Sequence, residues 1–119
     1  MVVIIEDEAV SRQTTVDLIE QAGYVALPAR SLAEAREVLG RSSPDVILLD
    51  VVLPDGSGVA FLAELKADER TTQVPVVLVT AMDSEDLPVG LERAAAILTK
   101  PPRERMLLAA VAAACGRKR

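Results

Sequence analysis

Asp45-Val-Ile-Leu-Leu-Asp50-Val-Val-Leu-Pro54-Asp-Gly-Ser-Gly58 reads as a strand, a turn and the first residue of a helix. Val46 to Leu49 is an unbroken apolar run of the length of a strand buried on both faces. Asp50 stands at the C-terminal tip of that strand. Pro54, Gly56 and Gly58 then turn the chain into a helix that begins near Val59. Open α/β sheets place their chemistry at the C-terminal ends of such strands. The reading therefore depends on what else reaches the edge where Asp50 ends.

On the N-terminal side, Val2 to Ile5 is a β-branched run and a second buried strand, followed at once by Glu6-Asp7-Glu8. Ala9 to Ala22 is expected to be a helix, with Thr15, Leu18, Ile19 and Ala22 on its apolar stripe and Gly23 as its C-terminal cap. Tyr24 to Leu27 is a weaker strand, closed or marked as an edge by Pro28. Ser31 and Glu34 form a capping box for a helix reaching about Leu39, with Leu32, Ala35, Val38 and Leu39 inward.

Beyond Gly58, Val59, Phe61, Leu62 and Leu65 face inward on a helix that runs to about Ala67, and Asp68 to Gln73 is a polar loop. Val76 to Val79 is the next strand and leads into Thr80-Ala81. Ser84 to Ala94 reads as a weak helix interrupted by Pro88 and Gly90. Ala96 to Leu98 is a short strand followed by Thr99-Lys100-Pro101-Pro102. A last helix is expected from about Arg103 to Cys115, with Gly116 as its stop.

Five strands thus alternate with five helices, and no strand-turn-strand hairpin is signalled. This pattern predicts a parallel sheet with helices on both faces and right-handed crossovers.

Composition narrows the function. At 119 residues and half hydrophobic, the chain suits a single core. One Phe, one Tyr and no Trp leave no platform for stacking bases, and a net charge of −5 disfavours nucleic acid and anionic membrane. There is no histidine, which excludes histidine-based nucleophile pairs and histidine metal ligands. A single cysteine, Cys115, allows no internal disulfide and fits a reducing, cytoplasmic setting. No apolar run approaches a membrane span, and nothing at Met1 resembles a signal peptide. Residues 1–116 are read as one domain, with 117–119 a basic tail or the start of a linker.

In a parallel sheet all C-terminal strand ends lie together. The first strand ends on Glu6 and Asp7, the third on Asp50, the fourth on Thr80 and the fifth on Thr99-Lys100. Taken singly these residues are ordinary: helix-terminal acids, a β-branched strand end, a loop lysine. Taken together they form a site. Two carboxylates about 4 Å apart repel by roughly 4 kcal/mol at an effective dielectric near 20. Three of them facing one ammonium need a cation, or one must stay protonated; a divalent metal would balance the charge. Oxygen-only donors point to Mg²⁺ or Mn²⁺. Such an ion leaves room for a phosphoryl oxygen, which Thr80 and Lys100 are suited to receive. Asp50, alone on its strand tip, is the nucleophile of choice.

These residues, in this order, resemble the receiver domain of two-component response regulators over essentially the whole chain. The matching pieces are Glu6-Asp7-Glu8, Arg12, Gly23-Tyr24, Asp45 to Asp50, Pro54, Gly58, Val76 to Ala81 and Thr99-Lys100-Pro101. The resemblance implies a flavodoxin-like, doubly wound sheet in the order 2-1-3-4-5 with five helices. It implies Asp50 as phosphoacceptor, Thr80 as switch hydroxyl and Lys100 as partner of the phosphate. It also implies Mg²⁺ (or Mn²⁺) held by Asp7, Asp50 and the Val52 backbone carbonyl, with Glu6 acting through water, and a cis Lys100–Pro101 peptide.

The implied partner is a histidine kinase or histidine phosphotransfer protein. The implied output, to an effector domain or a second copy, runs through the fourth helix, fifth strand and last helix. The domain would catalyse only its own phosphorylation and dephosphorylation. It would not bind nucleic acid directly, and it would not enter a membrane.

Three positions depart from the family. Ile97 stands where the switch aromatic is usual. The Thr80-to-Lys100 stretch is about two residues short and carries Pro88. Arg93-Ala-Ala-Ala96 replaces a Gly-Ala-Asp-Asp pattern. Val52 and Met82 are apolar where the family tunes dephosphorylation, which predicts a long-lived phosphoryl state. Two competing readings are a degenerate receiver that only binds partners and a Mg²⁺-dependent phosphatase. The second lacks an acid at Val52 to serve as its proton donor.

Overall fold

Successive residues of the central strands face opposite helix layers. Val3, Ile5, Ile47, Leu49, Val76 and Leu78 pack on one side, and Val2, Ile4, Val46, Leu48 and Val77 on the other. That is the pattern of strands buried on both faces, and it explains their continuous apolar runs. The computed structural model describes residues 1–81, 91 and 93–117. Its elements in chain order are β1 (Val2–Ile5), α1 (Ala9–Gln21), β2 (Ala26–Ala29), α2 (Leu32–Gly40), β3 (Val46–Asp50), β4 (Val52–Leu53), β5 (Gly56–Ser57), α3 (Gly58–Ala67), β6 (Val76–Thr80), β7 (Ala96–Thr99) and α4 (Glu104–Arg117).

The main sheet is parallel in the order β2-β1-β3-β6-β7. Counting only its own five strands, this is the expected order 2-1-3-4-5. Helices α2 and α3 cover one face through Leu32, Ala35, Val38, Phe61, Leu62 and Leu65. Helices α1 and α4 cover the other through Val16, Ile19, Leu107, Val111 and Ala114. Phe61 is 1% exposed, and truncating such a residue to alanine costs about 3–5 kcal/mol.

The structure corrects several local expectations. A two-strand antiparallel hairpin, β4–β5, follows Asp50, with Pro54 and Asp55 as its connection. Strands of two residues carry no readable period. Strand β2 starts and ends two residues later than expected and contains Pro28. Tyr24 is occupied elsewhere: its amide and that of Gly23 bond to the Ile19 and Glu20 carbonyls, closing α1 around Gly23 at φ 95°. Pro28 is tolerated because β2 is an edge. The Val25 and Ala29 carbonyls accept from Val2 and Glu6, so the intervening even-numbered residues turn toward the free edge.

On α1 the buried residues are Val16 and Ile19, while Ala22 is exposed at the C-cap. Gly116 does not end α4. Among the described residues only Gly23 and Gly56 have positive φ, and the helix continues to Arg117. Four helices lie among the described residues. The helix expected over 84–94, with Pro88 and Gly90, falls on residues mostly outside them, as does Met82.

Candidate functional site

Parallel pairing in register brings the polar strand ends together. Ile5 pairs with Leu49, Asp50 with Val79, and Thr80 with Thr99. The residues just beyond β1 and β7, Glu6-Asp7 and Lys100, therefore meet Asp50 at one edge. Glu6, Asp7 and Asp50 offer carboxylate oxygens within 4.8 Å of one another. Glu6 and Asp50 are buried, at 6% and 8% exposure, and Asp7 is exposed. Lys100 bridges the two buried acids: its Nζ pairs with Glu6 and lies 2.8 Å from Asp50 Oδ2.

Each group is held by its own local structure. The Lys100 amide donates to the Thr80 carbonyl at 2.8 Å, and the Lys100–Pro101 peptide is cis. The Val52 amide donates to Asp50 Oδ1 at 3.2 Å. Glu8 caps α1 by accepting from the Ser11 amide, which starts the helix immediately behind the acidic pair. Arg12, one turn into α1, donates from Nη1 to the Glu6 and Asp7 carbonyls at 3.0 and 3.1 Å. The sequence singled out Arg12 without giving it a role. Its guanidinium clamps the turn that carries both acids.

Gly58 sets the floor. A Cβ there would collide with the Asp50 carbonyl and come within 2.7 Å of the Val51 Cα. The first turn of α3 can pass under Asp50 only without a side chain, and Gly58 donates its amide to the Val51 carbonyl at 2.7 Å.

The electrostatics separate the acids. Burial acts to raise Glu6, but hydrogen bonds from Lys100 and Asp50 and the ammonium charge outweigh it, leaving Glu6 below the ordinary glutamate value. Burial raises Asp50; Lys100 opposes this, Glu6 adds to it, and Asp50 remains above the ordinary aspartate value. Burial works against charge on Lys100, yet hydrogen bonds to Asp50 and Glu6 hold its pKa above the usual lysine range. Asp50 is thus the more basic of the two buried acids. Lys100 directly answers one of three carboxylate charges. Hard oxygen donors at this spacing with charge left over fit a small divalent cation.

Thr80 is 2% exposed at the tip of β6, beside the strand of Asp50. Val52 lies in β4, two residues from Asp50, and is 59% exposed. Ile97 is on the edge strand β7, paired with Leu78 and 41% exposed. Among the described residues no helix is long and apolar enough to cross a membrane. Asp55, which the sequence did not single out, accepts from two amides of α2. An acid in a Pro-Asp-Gly turn looks like turn chemistry, and nothing local announces a partner so far back in the chain.

A doubly wound α/β domain with acids, a hydroxyl and a lysine gathered at the C-terminal strand ends is a flavodoxin-like signalling fold. Residues 2–112 match the response regulator receiver domain, and the chain belongs to that family. It is similar to the phosphate regulon transcriptional regulatory protein PhoB of Pseudomonas aeruginosa, 39% identical over 110 residues that make up 91% of this chain and 48% of PhoB. It is also 40% identical over 80 residues to the polar-differentiation response regulator DivK of Brucella ovis, covering 67% of this chain and 65% of DivK. A sensor protein from Polaromonas sp. JS666 superposes with a TM-score of 0.92 at 26% identity, covering 99% of this chain and 97% of that one. The chain spans about half the length of the PhoB relative.

Proposed function

We propose that this receiver domain is a phosphorylation switch with Asp50 as the phosphoacceptor. The observation that carries this reading is the Glu6–Asp7–Asp50 cluster closed by Lys100, with Asp50 alone on a central strand tip. An Asp50 carboxylate oxygen bonds to the phosphorus of a phosphohistidine on a kinase or phosphotransfer partner. The N–P bond breaks, and its electron pair leaves with the imidazole.

Asp7, Asp50 and the Val52 carbonyl would hold Mg²⁺ or Mn²⁺, with Glu6 acting through water. The ion supplies charge neutralisation at the phosphoryl oxygens. Lys100 exchanges its carboxylate partners for the phosphoryl group, and Thr80 donates its hydroxyl to it. Phosphorylation adds roughly two negative charges where three carboxylates already crowd, and the strand ends rearrange around them.

Strand β7 and helix α4 form the described part of the output face, with Ile97 and Met106 exposed on it. The aliphatic Ile97 makes the readout differ from a swinging aromatic. The exposed, apolar Val52 cannot orient a hydrolytic water, which favours a long-lived phosphoryl state. We place this switch in the cytoplasm, within a longer regulator or beside a separate effector. The test is Asp50→Asn challenged with a small phosphodonor and Mg²⁺: acid-labile label disappears. Label retained at the wild-type level overturns the assignment.

A further inference from the structure

The hairpin that follows Asp50 is fastened at its far end to a helix. Asp55, at the hairpin tip, uses both carboxylate oxygens: Oδ1 accepts from the Leu32 amide at 2.9 Å and Oδ2 from the Ala33 amide at 3.1 Å. These are the first two amides of α2, which have no acceptor within their own helix. Negative charge is favoured at that position by the helix dipole. The same two hydrogen bonds hold the Asp55 carboxyl below the ordinary aspartate value.

Helix α2 already has its own cap. Ser31 Oγ accepts from the Glu34 amide at 3.2 Å. Asp55 therefore does more than finish a helix: it joins two elements 22 and 23 residues apart. A second contact lies beside it. A Cβ on Gly56 would stand 2.8 Å from Leu32 Cδ1, so the hairpin rests directly against the start of α2.

At its near end the hairpin begins at the site. Val52 donates its amide to Asp50 Oδ1, and the ladder between β4 and β5 consists of Val52–Ser57 and Leu53–Gly56 alone. So short a pair is at best marginally stable by itself. Its orientation depends on its anchors: Asp50 and Gly58 at the base, the buried Leu53 side chain along one strand, and Asp55 at the tip, where the turn itself is held.

We propose that Asp55 is a positioning residue for the Asp50 site: by tying the hairpin tip to the first two amides of α2 it fixes the peptides that carry the Val52 carbonyl beside the Asp50 carboxylate. This rests on reading the acid cluster as a divalent-cation site to which that carbonyl contributes. Reciprocity follows, because a fixed hairpin that favours the cation is itself tightened by the cation. Occupancy of the site is then felt at the N-terminal end of α2, on the sheet face opposite α1 and α4.

The experiment measures Mn²⁺ affinity of the unphosphorylated protein by electron paramagnetic resonance for wild type, Asp55→Ala, Asp55→Asn and Ser31→Ala. Outer contacts of this kind change metal affinity by about tenfold. Asp55→Ala is expected to weaken Mn²⁺ by that order. Asp55→Asn keeps one acceptor and recovers most of the loss. Ser31→Ala removes a cap from the same helix without touching the hairpin and stays near wild type. Amide exchange at Leu32 and Ala33 slows on adding Mn²⁺ to wild type and is unchanged by it in Asp55→Ala. The proposal is overturned if Asp55→Ala binds Mn²⁺ like wild type, or if Ser31→Ala loses as much. Wild type that fails to bind Mn²⁺ overturns the cation reading itself.

Discussion

Asp45 and Asp50 bracket the same strand and are both ion-paired, yet they live in different chemistry. Asp45, just before β3, pairs with the Met1 ammonium at 2.7 Å, with the two side chains 44% and 35% exposed. The two opposite charges there offset each other, and water has access to both. Asp50, at the other end, is 8% exposed and shares Lys100 with Glu6. The first arrangement is at rest. The second has more negative charge than its ammonium answers, in a place where water gives little relief. The contrast shows how one strand can be anchored at one end and charge-crowded at the other: burial and neighbours, not residue type, set the two acids apart.

The largest expected effect separates the two acids by function. Asp50→Asn abolishes phosphoryl uptake, whereas Asp45→Asn incorporates label at close to the wild-type level. Comparable loss in both would erase the distinction.

Next comes Lys100. Removing one partner of a buried pair costs about 3–5 kcal/mol, and partial exposure of Lys100 brings the expectation down to on the order of 2 kcal/mol. Urea denaturation of Lys100→Met without metal should show that loss. Mn²⁺ should recover part of it, because the acids then lack their resident ammonium. An unchanged midpoint would mean that Lys100 does not relieve the cluster.

A smaller effect carries a pH signature. The folded-state pKa of Asp50 lies above its unfolded value, so its contribution to stability is present at low pH and is lost as pH rises through the folded pKa. Ionised Asp50 is thus a cost to the metal-free fold. Asp50→Asn should melt a few degrees higher at neutral pH, and the gain should shrink in acid. Glu6 runs the other way: its lowered pKa gives stability above the unfolded value that is lost as pH falls through the folded one. A thermal scan across pH with Glu6→Gln alongside checks that the two slopes have opposite sign.

The smallest effect is at Asp45. Half-exposed pairs contribute about 0–1 kcal/mol, so Asp45→Ala should shift the denaturation midpoint only slightly and less so in high salt. A large shift would show that the quiet end of β3 is not quiet.

Much of this arrangement is legible in the sequence. Parallel strands place all their C-termini at one edge, so Glu6, Asp7, Asp50, Thr80 and Lys100 could be gathered from apolar runs alone. What escaped reading was short or remote. Strands β4 and β5 have two residues each and no period to detect. The β2 boundary moved because Tyr24 is spent on closing α1, a choice set by backbone bonds rather than by side-chain pattern. Gly116 looked like a stop, but a glycine ends a helix only where the backbone turns left-handed, and here it does not. The Asp55 tie joins residues more than 20 apart through backbone amides, which leave no mark in side-chain pattern.

Gly58 carries a consequence for genetics. Its Cβ position is already occupied by the backbone on either side of Asp50–Val51. Even alanine there must displace either the strand tip or the first turn of α3. A screen for signalling-dead alleles that retain every reactive group should therefore return Gly58 repeatedly, with protein that accumulates yet takes up phosphate poorly. Such alleles would be corrected, if at all, by second-site changes in the hairpin or α3 rather than by restoring any charge.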